Sequence, residues 1–151
     1  MFKLKLKEPI EIIIVGGLAM QAYGLSLRKT VDLDGEIKAS DESYLKVIRE
    51  LTKKSVVCNI SDNLDRWGVI PMPDGYRERS TVYHQKTNLT VKILDPVDFV
   101  ISMLRRGTEE DLQDAEEVVK HFNIRKSDIA SRLEIISLPK DTESLLFKKL
   151  F

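Results

Sequence analysis

The chain has 151 residues, of which 42% are hydrophobic and 32% are charged, and this composition excludes a wholly disordered protein. Its 24 basic and 24 acidic residues cancel, which excludes a surface built entirely to bind nucleic acid. A single cysteine, Cys58, excludes an internal disulfide and is typical of the reducing cytoplasm. No run of residues has the length and hydrophobicity of a membrane span, so we expect a cytoplasmic protein without a membrane partner.

The first sixty residues alternate between strand and helix patterns. A continuous apolar run that ends at a Gly-Gly pair predicts a buried central strand. Ser40 is the expected N-cap of an amphipathic helix, and Gly24 is expected to close a shorter helix before it. The predicted elements are strand Glu11–Val15, helix Leu18–Tyr23, strand Thr30–Ile37, helix Asp41–Lys54 and strand Ser55–Ile60.

The middle of the chain is less regular. Residues 61–79 contain two prolines and an Asp-Gly pair, which predict a surface loop after a short helical turn at Asn63–Trp67. The segments Ser80–His84 and Leu89–Leu94 then predict a hairpin around a turn at residues 85–88.

From Asp95 onward the patterns are helical. Asp95 is the expected N-cap of a helix with Pro96 at its first position, and Gly107 is expected to end that helix. The predicted helices are Val97–Arg106, Thr108–His121, Ser127–Ile136 and Thr142–Phe151. We therefore predict an α/β (α+β) fold, with a mixed sheet flanked by helices over residues 1–94 and a helical C-terminal region over residues 95–151 packed on it.

The stretch RKTVDLDGEIK places three acids on one face of a strand. Asp32, Asp34 and Glu36 alternate with other residues, so the Cα atoms of successive acids lie roughly 6.5–7 Å apart. Neighbouring carboxylates repel each other, and a divalent cation such as Mg²⁺ relieves the repulsion. Because Mg²⁺ usually takes one or two protein carboxylates together with phosphate oxygens, the pattern indicates phosphate chemistry. The alternative is a solvated face whose acids pair with lysines of a neighbouring strand, Lys92 among them.

A Gly-Gly turn provides the second element of such a site. Gly16 and Gly17 end the first strand and open the first helix, which leaves bare backbone where phosphates can approach N–H groups. If the first two strands are neighbours in the sheet, this turn lies beside the acidic strand.

Two blocks of the sequence carry a resemblance to a known family. VGGLAMQAYGLSLRKTVDLD resembles the Gly-Gly turn and Arg-x-Thr-x-Asp-x-Asp strand of the minimal nucleotidyltransferase-like proteins of prokaryotes, within the DNA polymerase β superfamily. LDPVDFVISMLRRGTEEDLQDAEEVV is similar to the helical region of the same group, which includes relatives of AbiEii-type toxins. Together the blocks cover most of residues 12–122.

The resemblance implies a nucleotidyltransferase fold and a Mg²⁺-dependent transfer of a nucleotidyl group from an NTP to an acceptor hydroxyl. The acceptor would be a protein, a tRNA end or a small molecule, and the family suggests a toxin–antitoxin context. Carried over by position, Asp32 and Asp34 would be catalytic and would hold one or two Mg²⁺ ions. The nucleotide-binding residues would be Gly16, Gly17, Arg28 and Thr30.

The sequence departs from the family pattern at two places. Active members add a third carboxylate from a later strand, and the run NLTVKIL offers Thr90 and Lys92 instead; Glu36 is the substitute candidate for a metal ligand. Met103 stands where relatives commonly have lysine.

Asp111 and Asp114 match a family element, share a helix face and are candidates for the wall of a cleft, with helix capping and surface pairing as the alternative. The remaining alternatives are a catalytically degenerate member that binds a nucleotide or a protein partner, and an interaction domain whose acidic face meets a basic partner.

Overall fold

The computed structural model describes residues 5–25, 30, 32–67, 71–134, 148 and 150. The strands are β1 Ile10–Val15, β2 Asp32–Lys38, β3 Val57–Ser61, β4 Thr81–Lys86 and β5 Leu89–Ile93. The α-helices are α1 Gly16–Ala22, α2 Asp41–Lys53, α3 Tyr76–Arg79, α4 Pro96–Arg106, α5 Glu109–His121 and α6 Lys126–Glu134, and a 3₁₀ helix spans Leu64–Trp67. None of the helices in the described part of the chain is long and apolar enough to cross a bilayer.

Chain contacts divide the structure into two compact units, one of Met1–Leu64 with Ser80–Leu94 and one of Asp65–Arg79 with Asp95–Phe151. The first unit contains the sheet and the second contains the C-terminal helices. The predicted fold class, a mixed sheet with helices followed by a helical C-terminal part, is confirmed. The division predicted at residue 94 stays a prediction.

The five described strands form one mixed sheet in the order β3-β2-β1-β5-β4. The central strand β1 is antiparallel to β2 on one side and parallel to β5 on the other. Strand β3 runs parallel to β2, and β4 forms the predicted hairpin with β5. The buried central strand and its continuous apolar run are therefore as predicted.

One face of this sheet is covered by α2. Its buried cluster consists of Ile10, Ile12, Ile37, Val47 and Leu51, which come from β1, β2 and α2. Because strand residues alternate, the acids of β2 lie on the opposite face from Ile37. The packing of α2 thus fixes which way the acids point, and a shift of one residue in β2 would bury them.

The helix ends follow from local sequence signals. Ser40 Oγ accepts a hydrogen bond from the backbone N–H of Ser43 at 3.3 Å, as its predicted N-cap role requires. Gly24 has a φ of +80° directly after the C-cap of α1, and its N–H donates to the carbonyl of Gln21. With the N–H of Leu25 donating to the carbonyl of Met20, this is a complete Schellman ending.

In the second unit, α4 begins at an N-cap whose carboxylate accepts from two backbone N–H groups. Asp95 Oδ1 accepts from Val97 at 3.0 Å and from Asp98 at 3.4 Å, with Pro96 at the first turn as predicted. Gly107 ends α4 with a φ of +67°, and Thr108 caps α5.

The prediction of a surface loop up to residue 79 is wrong in part. The short helical turn before it is present, but Met72 and Tyr76 are buried, and Tyr76 begins the one-turn helix α3. Arg79 holds this helix through two hydrogen bonds to the buried carboxylate of Asp98, 2.8 and 3.0 Å long. A tertiary ion pair therefore orders a segment whose local composition indicates a loop.

Two predictions on the C-terminal helices extend beyond what the structure covers. Helix α6 is described over Lys126–Glu134, and residues 135–147 lie outside the described residues. The predicted helix Thr142–Phe151 falls almost entirely outside them as well, with 148 and 150 described as helical.

Candidate functional site

The Gly-Gly turn and the acidic strand lie side by side. In the antiparallel pair of β1 and β2, Val15 is opposite Asp34, so the residue after Val15 meets that carboxylate. A Cβ atom built on Gly16 would lie 2.8 Å from Asp34 Oδ2. The sequence predicts this contact if the first two strands are neighbours in the sheet. The pairing of β1 with β2 meets that condition.

Both glycines are required by their positions. Gly16 has a φ of +63°, a conformation that residues with a Cβ rarely adopt, and its missing side chain leaves room for Asp34. Gly17 has no such φ, but a Cβ there would lie 2.9 Å from Thr30 Cγ2. The first turn of α1 can approach the start of β2 this closely only without side chains.

Thr30 connects the turn to the acidic strand. Its Oγ1 accepts a long hydrogen bond from the backbone N–H of Asp32, at 3.4 Å, while its methyl group lies against Gly17. This geometry agrees with a residue that orients the strand. Arg28, its partner in the family pattern, lies outside the described residues.

The three acids of β2 lie in different surroundings. Asp32 and Asp34 are partly exposed, whereas Glu36 is 4% exposed and its Oε2 accepts from the backbone N–H of Leu64 at 2.9 Å. Glu36 thus fixes the start of the 3₁₀ helix. The structure places it on the same face as the other two, in a position that suits a structural contact.

Asn59 is the site residue that sequence reasoning missed. It lies opposite Asp34 in the parallel pair of β2 and β3, and its Nδ2 donates to Asp34 Oδ1 at 2.8 Å. The sequence signal is weak, because an asparagine in a short strand is compatible with many roles and only the pairing of β3 with β2 brings it to the acid.

The strand searched for a third carboxylate lies elsewhere in the sheet. Strand β5, which carries Thr90 and Lys92, pairs with β1 and is separated from the acidic strand by it. Lys92 Nζ forms an ion pair with Glu11 at 2.9 Å. This pairing differs from the alternative in which Lys92 neutralises the acids of β2.

The donors at this site fit a magnesium ion that arrives with a nucleotide. Asp32 and Asp34 supply two carboxylates on one strand face, within the one or two that Mg²⁺ usually takes from a protein alongside phosphate oxygens. Among the described residues, no group of three or more histidine, cysteine, aspartate or glutamate side chains could hold a metal ion by itself.

The candidate cleft residues belong to the second unit and have structural contacts there. Asp111 is 1% exposed, accepts from Arg106 Nε at 2.9 Å and from the N–H of Thr108 at 3.2 Å, and completes a capping box. Burial raises the pKa of Asp111, but the hydrogen bonds from Arg106 and Thr108 outweigh it and leave the pKa lowered. Asp114 and Met103 are also buried.

Comparison with known proteins identifies a family for this chain. A family model described as a nucleotidyltransferase of unknown function (DUF6036) matches residues 3–136. The chain belongs to this family. No curated protein matches the chain with significance.

The family match covers both sequence blocks and the whole of the site. It includes the Gly-Gly turn, the acidic strand, Asn59 and the helices through α6. A nucleotidyltransferase family implies an NTP as substrate. The general identity predicted from the sequence is therefore confirmed, and the family description leaves the reaction's acceptor open.

Proposed function

We propose that this protein is a Mg²⁺-dependent enzyme that transfers a nucleotidyl group from an NTP to an acceptor hydroxyl. In this reaction the hydroxyl attacks the α-phosphorus, and the bond to pyrophosphate breaks. The observation that carries the proposal is the contact between Gly16 and Asp34, which brings a backbone suited to phosphates against a carboxylate suited to a metal.

The chain's own groups have distinct tasks in this proposal. The backbone at Gly16 and Gly17 would approach the phosphates, since Val15 at the N-cap position has an apolar side chain that cannot accept from the first N–H groups of α1. Asp32 and Asp34 would hold the Mg²⁺, and Thr30 would keep the strand against the turn. When bound, Mg²⁺ supplies positive charge beside the phosphate and acceptor oxygens.

A second function is favoured by the charge of the site. The side chain beside Asp34 is the neutral amide of Asn59, and Glu36 is bonded to Leu64. A site with two available carboxylates suits a catalytically degenerate member that binds a nucleotide or a protein partner without turnover. The resemblance to AbiEii-type toxin relatives supports a toxin–antitoxin context for either function, with a protein, a tRNA or a small molecule as acceptor in the first.

The deciding experiment is a calorimetric titration of the four NTPs, with and without Mg²⁺, into the wild type and Asp34→Asn. The proposed enzyme binds at least one NTP only with Mg²⁺, and the substitution weakens that binding tenfold or more. Glu8→Gln removes the charge of an exposed acid outside the strands and should leave binding unchanged.

Turnover then separates the two functions. Release of pyrophosphate from the bound NTP in the presence of acceptor candidates supports the enzyme, whereas Mg²⁺-independent binding without release supports the degenerate binder. Absence of binding at millimolar NTP would contradict the enzyme and the nucleotide binder, and would leave the degenerate member that binds a protein partner.

A further inference from the structure

Asn59 is the nearest polar neighbour of Asp34 across the β2–β3 strand pair. The two residues are opposite each other in a parallel register, and Nδ2 of Asn59 lies 2.8 Å from Oδ1 of Asp34. Asn59 is exposed, so the bond adds little to the stability of the fold. Because this bond contributes little to folding and its acceptor is a carboxylate of the candidate site, we assign its role to that site.

The two oxygens of Asp34 have different surroundings. Oδ1 accepts from Asn59, and Oδ2 lies in the space that a side chain on Gly16 would fill. The hydrogen bond from Asn59 therefore holds Oδ1, and the absence of a side chain on Gly16 leaves room for Oδ2 beside the turn. This orientation presents Oδ2 to the Gly-Gly turn, where the proposed phosphates would lie.

The neighbour's charge matters as much as its position. An amide can orient a carboxylate without adding a charge, whereas an aspartate in its place would add a third carboxylate within contact distance of Asp34. With two carboxylates, the site attracts a free divalent ion weakly and gains the remaining ligands from phosphate oxygens.

We propose that Asn59 is a positioning residue that fixes Asp34 and keeps the site selective for a metal ion that arrives with a nucleotide over the free ion. The inference deepens the proposed function and rests on it, because the selectivity is meaningful only if a metal–nucleotide complex binds. It applies equally to the enzyme and to a metal-dependent nucleotide binder.

The test uses Mn²⁺ as the probe, with the free ion measured by electron paramagnetic resonance in the absence of nucleotide. The variants are Asn59→Asp, Asn59→Ala and the control Gln85→Glu, which adds the same charge to an exposed strand amide on β4, three strands away from β2. We expect Asn59→Asp to bind free Mn²⁺ at least tenfold more tightly than the wild type and the control.

Removal of the amide tests binding of the metal–nucleotide complex instead of the free ion. We expect Asn59→Ala to leave the weak binding of free Mn²⁺ unchanged and to weaken binding of the Mn²⁺–NTP complex three- to tenfold, because Asp34 is no longer held. Thermal unfolding of each variant checks that the fold is intact, which the exposure of Asn59 favours.

The outcomes separate this inference from the proposed function. If Asn59→Asp binds free Mn²⁺ no better than Gln85→Glu, or if Asn59→Ala binds the complex as the wild type does, the role of Asn59 is overturned while nucleotide binding by the wild type stands. If the wild type does not bind the complex at all, the selectivity of Asn59 and the proposed function fall together, even where Asn59→Asp gains a metal site.

Discussion

The two units use the same side chain in opposite ways. In the second unit, Asp98 is 0% exposed and bonded to two arginines, and Asp111 is bonded to Arg106 and caps its own helix. In the first unit, Asp34 is partly exposed and its hydrogen-bond partner is a neutral amide. Among the described residues, no lysine or arginine forms an ion pair with Asp34.

The difference separates acids that stabilise the fold from an acid that has no cationic partner among the described residues. A buried carboxylate costs free energy unless cations and hydrogen bonds compensate for its desolvation. Asp98 and Asp111 therefore require their ion pairs with arginine. The negative charge of a partly exposed carboxylate beside a glycine and a neutral amide can attract a cation such as a metal ion. Both kinds of aspartate lie in sequence blocks that resemble the family, so resemblance alone does not separate them.

The largest effect that this comparison predicts is at Asp98. Its carboxylate binds Arg79 Nε at 2.8 Å and Arg132 Nη1 at 2.9 Å, which ties α3 and α6 to α4. Asp98→Ala leaves both guanidinium groups without this partner and should lower the free energy of unfolding by about 3 kcal/mol, at the lower end of the range for buried pairs because both arginines keep some contact with water. Denaturant unfolding measures it.

Asp128→Ala is the matched control for Asp98→Ala. Asp128 pairs with Arg125 at 2.8 Å on the surface, where ion pairs contribute little to stability. Asp128 Oδ2 also accepts from the backbone N–H of Arg125 at 2.8 Å, and we expect the substitution to lower the free energy of unfolding by far less than Asp98→Ala does. Equal effects at the two positions would contradict the assignment of Asp98 as the acid that holds the second unit together.

The next effect concerns the Gly-Gly turn, and it combines strain with a contact. Gly16→Ala forces a side chain into a φ of +63° and places its Cβ 2.8 Å from Asp34 Oδ2, so we expect a loss of about 2 kcal/mol in unfolding free energy. It should also displace the carboxylate and weaken Mg²⁺–NTP binding, as measured by calorimetry.

Gly24→Ala separates the two causes. Gly24 has a φ of +80°, and no atom of the described residues lies within 4 Å of the position of an added Cβ, so its substitution reports backbone strain alone, about 1 kcal/mol. It should leave nucleotide binding unchanged. A binding defect in Gly24→Ala as large as in Gly16→Ala would indicate that α1, and not Asp34, carries the effect.

Local sequence signals predicted most of the helices and strands, whereas strand pairing determined which side chains lie together at the candidate site. The caps at Ser40 and Asp95 follow from residue type and spacing, as do the strands and the hairpin. Helix α3 was missed because Arg79 is held by an acid nineteen residues later in the chain. No local pattern contains that contact.

The neighbour of Asp34 illustrates the same limit within the site. The sequence predicts three strands after the acidic one, and the search for a third carboxylate used the last of them, β5. The structure pairs β5 with β1 and β3 with β2, so the side chain that meets Asp34 is Asn59. Alternation assigns faces to residues, but it does not determine which strands are adjacent.

A smaller effect is the pH dependence of the stability that Asp111 contributes. Its pKa in the folded protein is lowered, although burial raises it, because the bonds from Arg106 and Thr108 act more strongly in the other direction. The stability that this provides is complete above the unfolded pKa of about 4 and is lost as the pH falls through the folded value. Asp111→Asn should therefore lose less stability than the wild type between pH 5 and pH 2, as measured by denaturant unfolding at each pH. A constant difference between the two curves would contradict the ion pair.

The smallest expected effect is the coupling free energy between Gly17 and Thr30, whose contact places the turn against the acidic strand. A Cβ on Gly17 would lie 2.9 Å from Thr30 Cγ2 and 3.0 Å from Thr30 Cβ, so Gly17→Ala must push Thr30 away. Thr30→Ser removes Cγ2 and keeps the hydroxyl that accepts from Asp32. In a double-mutant cycle, we expect the serine to relieve part of the glycine substitution, with a coupling of about 0.5–1 kcal/mol in unfolding free energy. Additive effects would mean that Thr30 does not pack on the turn. Another contact would then have to hold the start of β2 against α1.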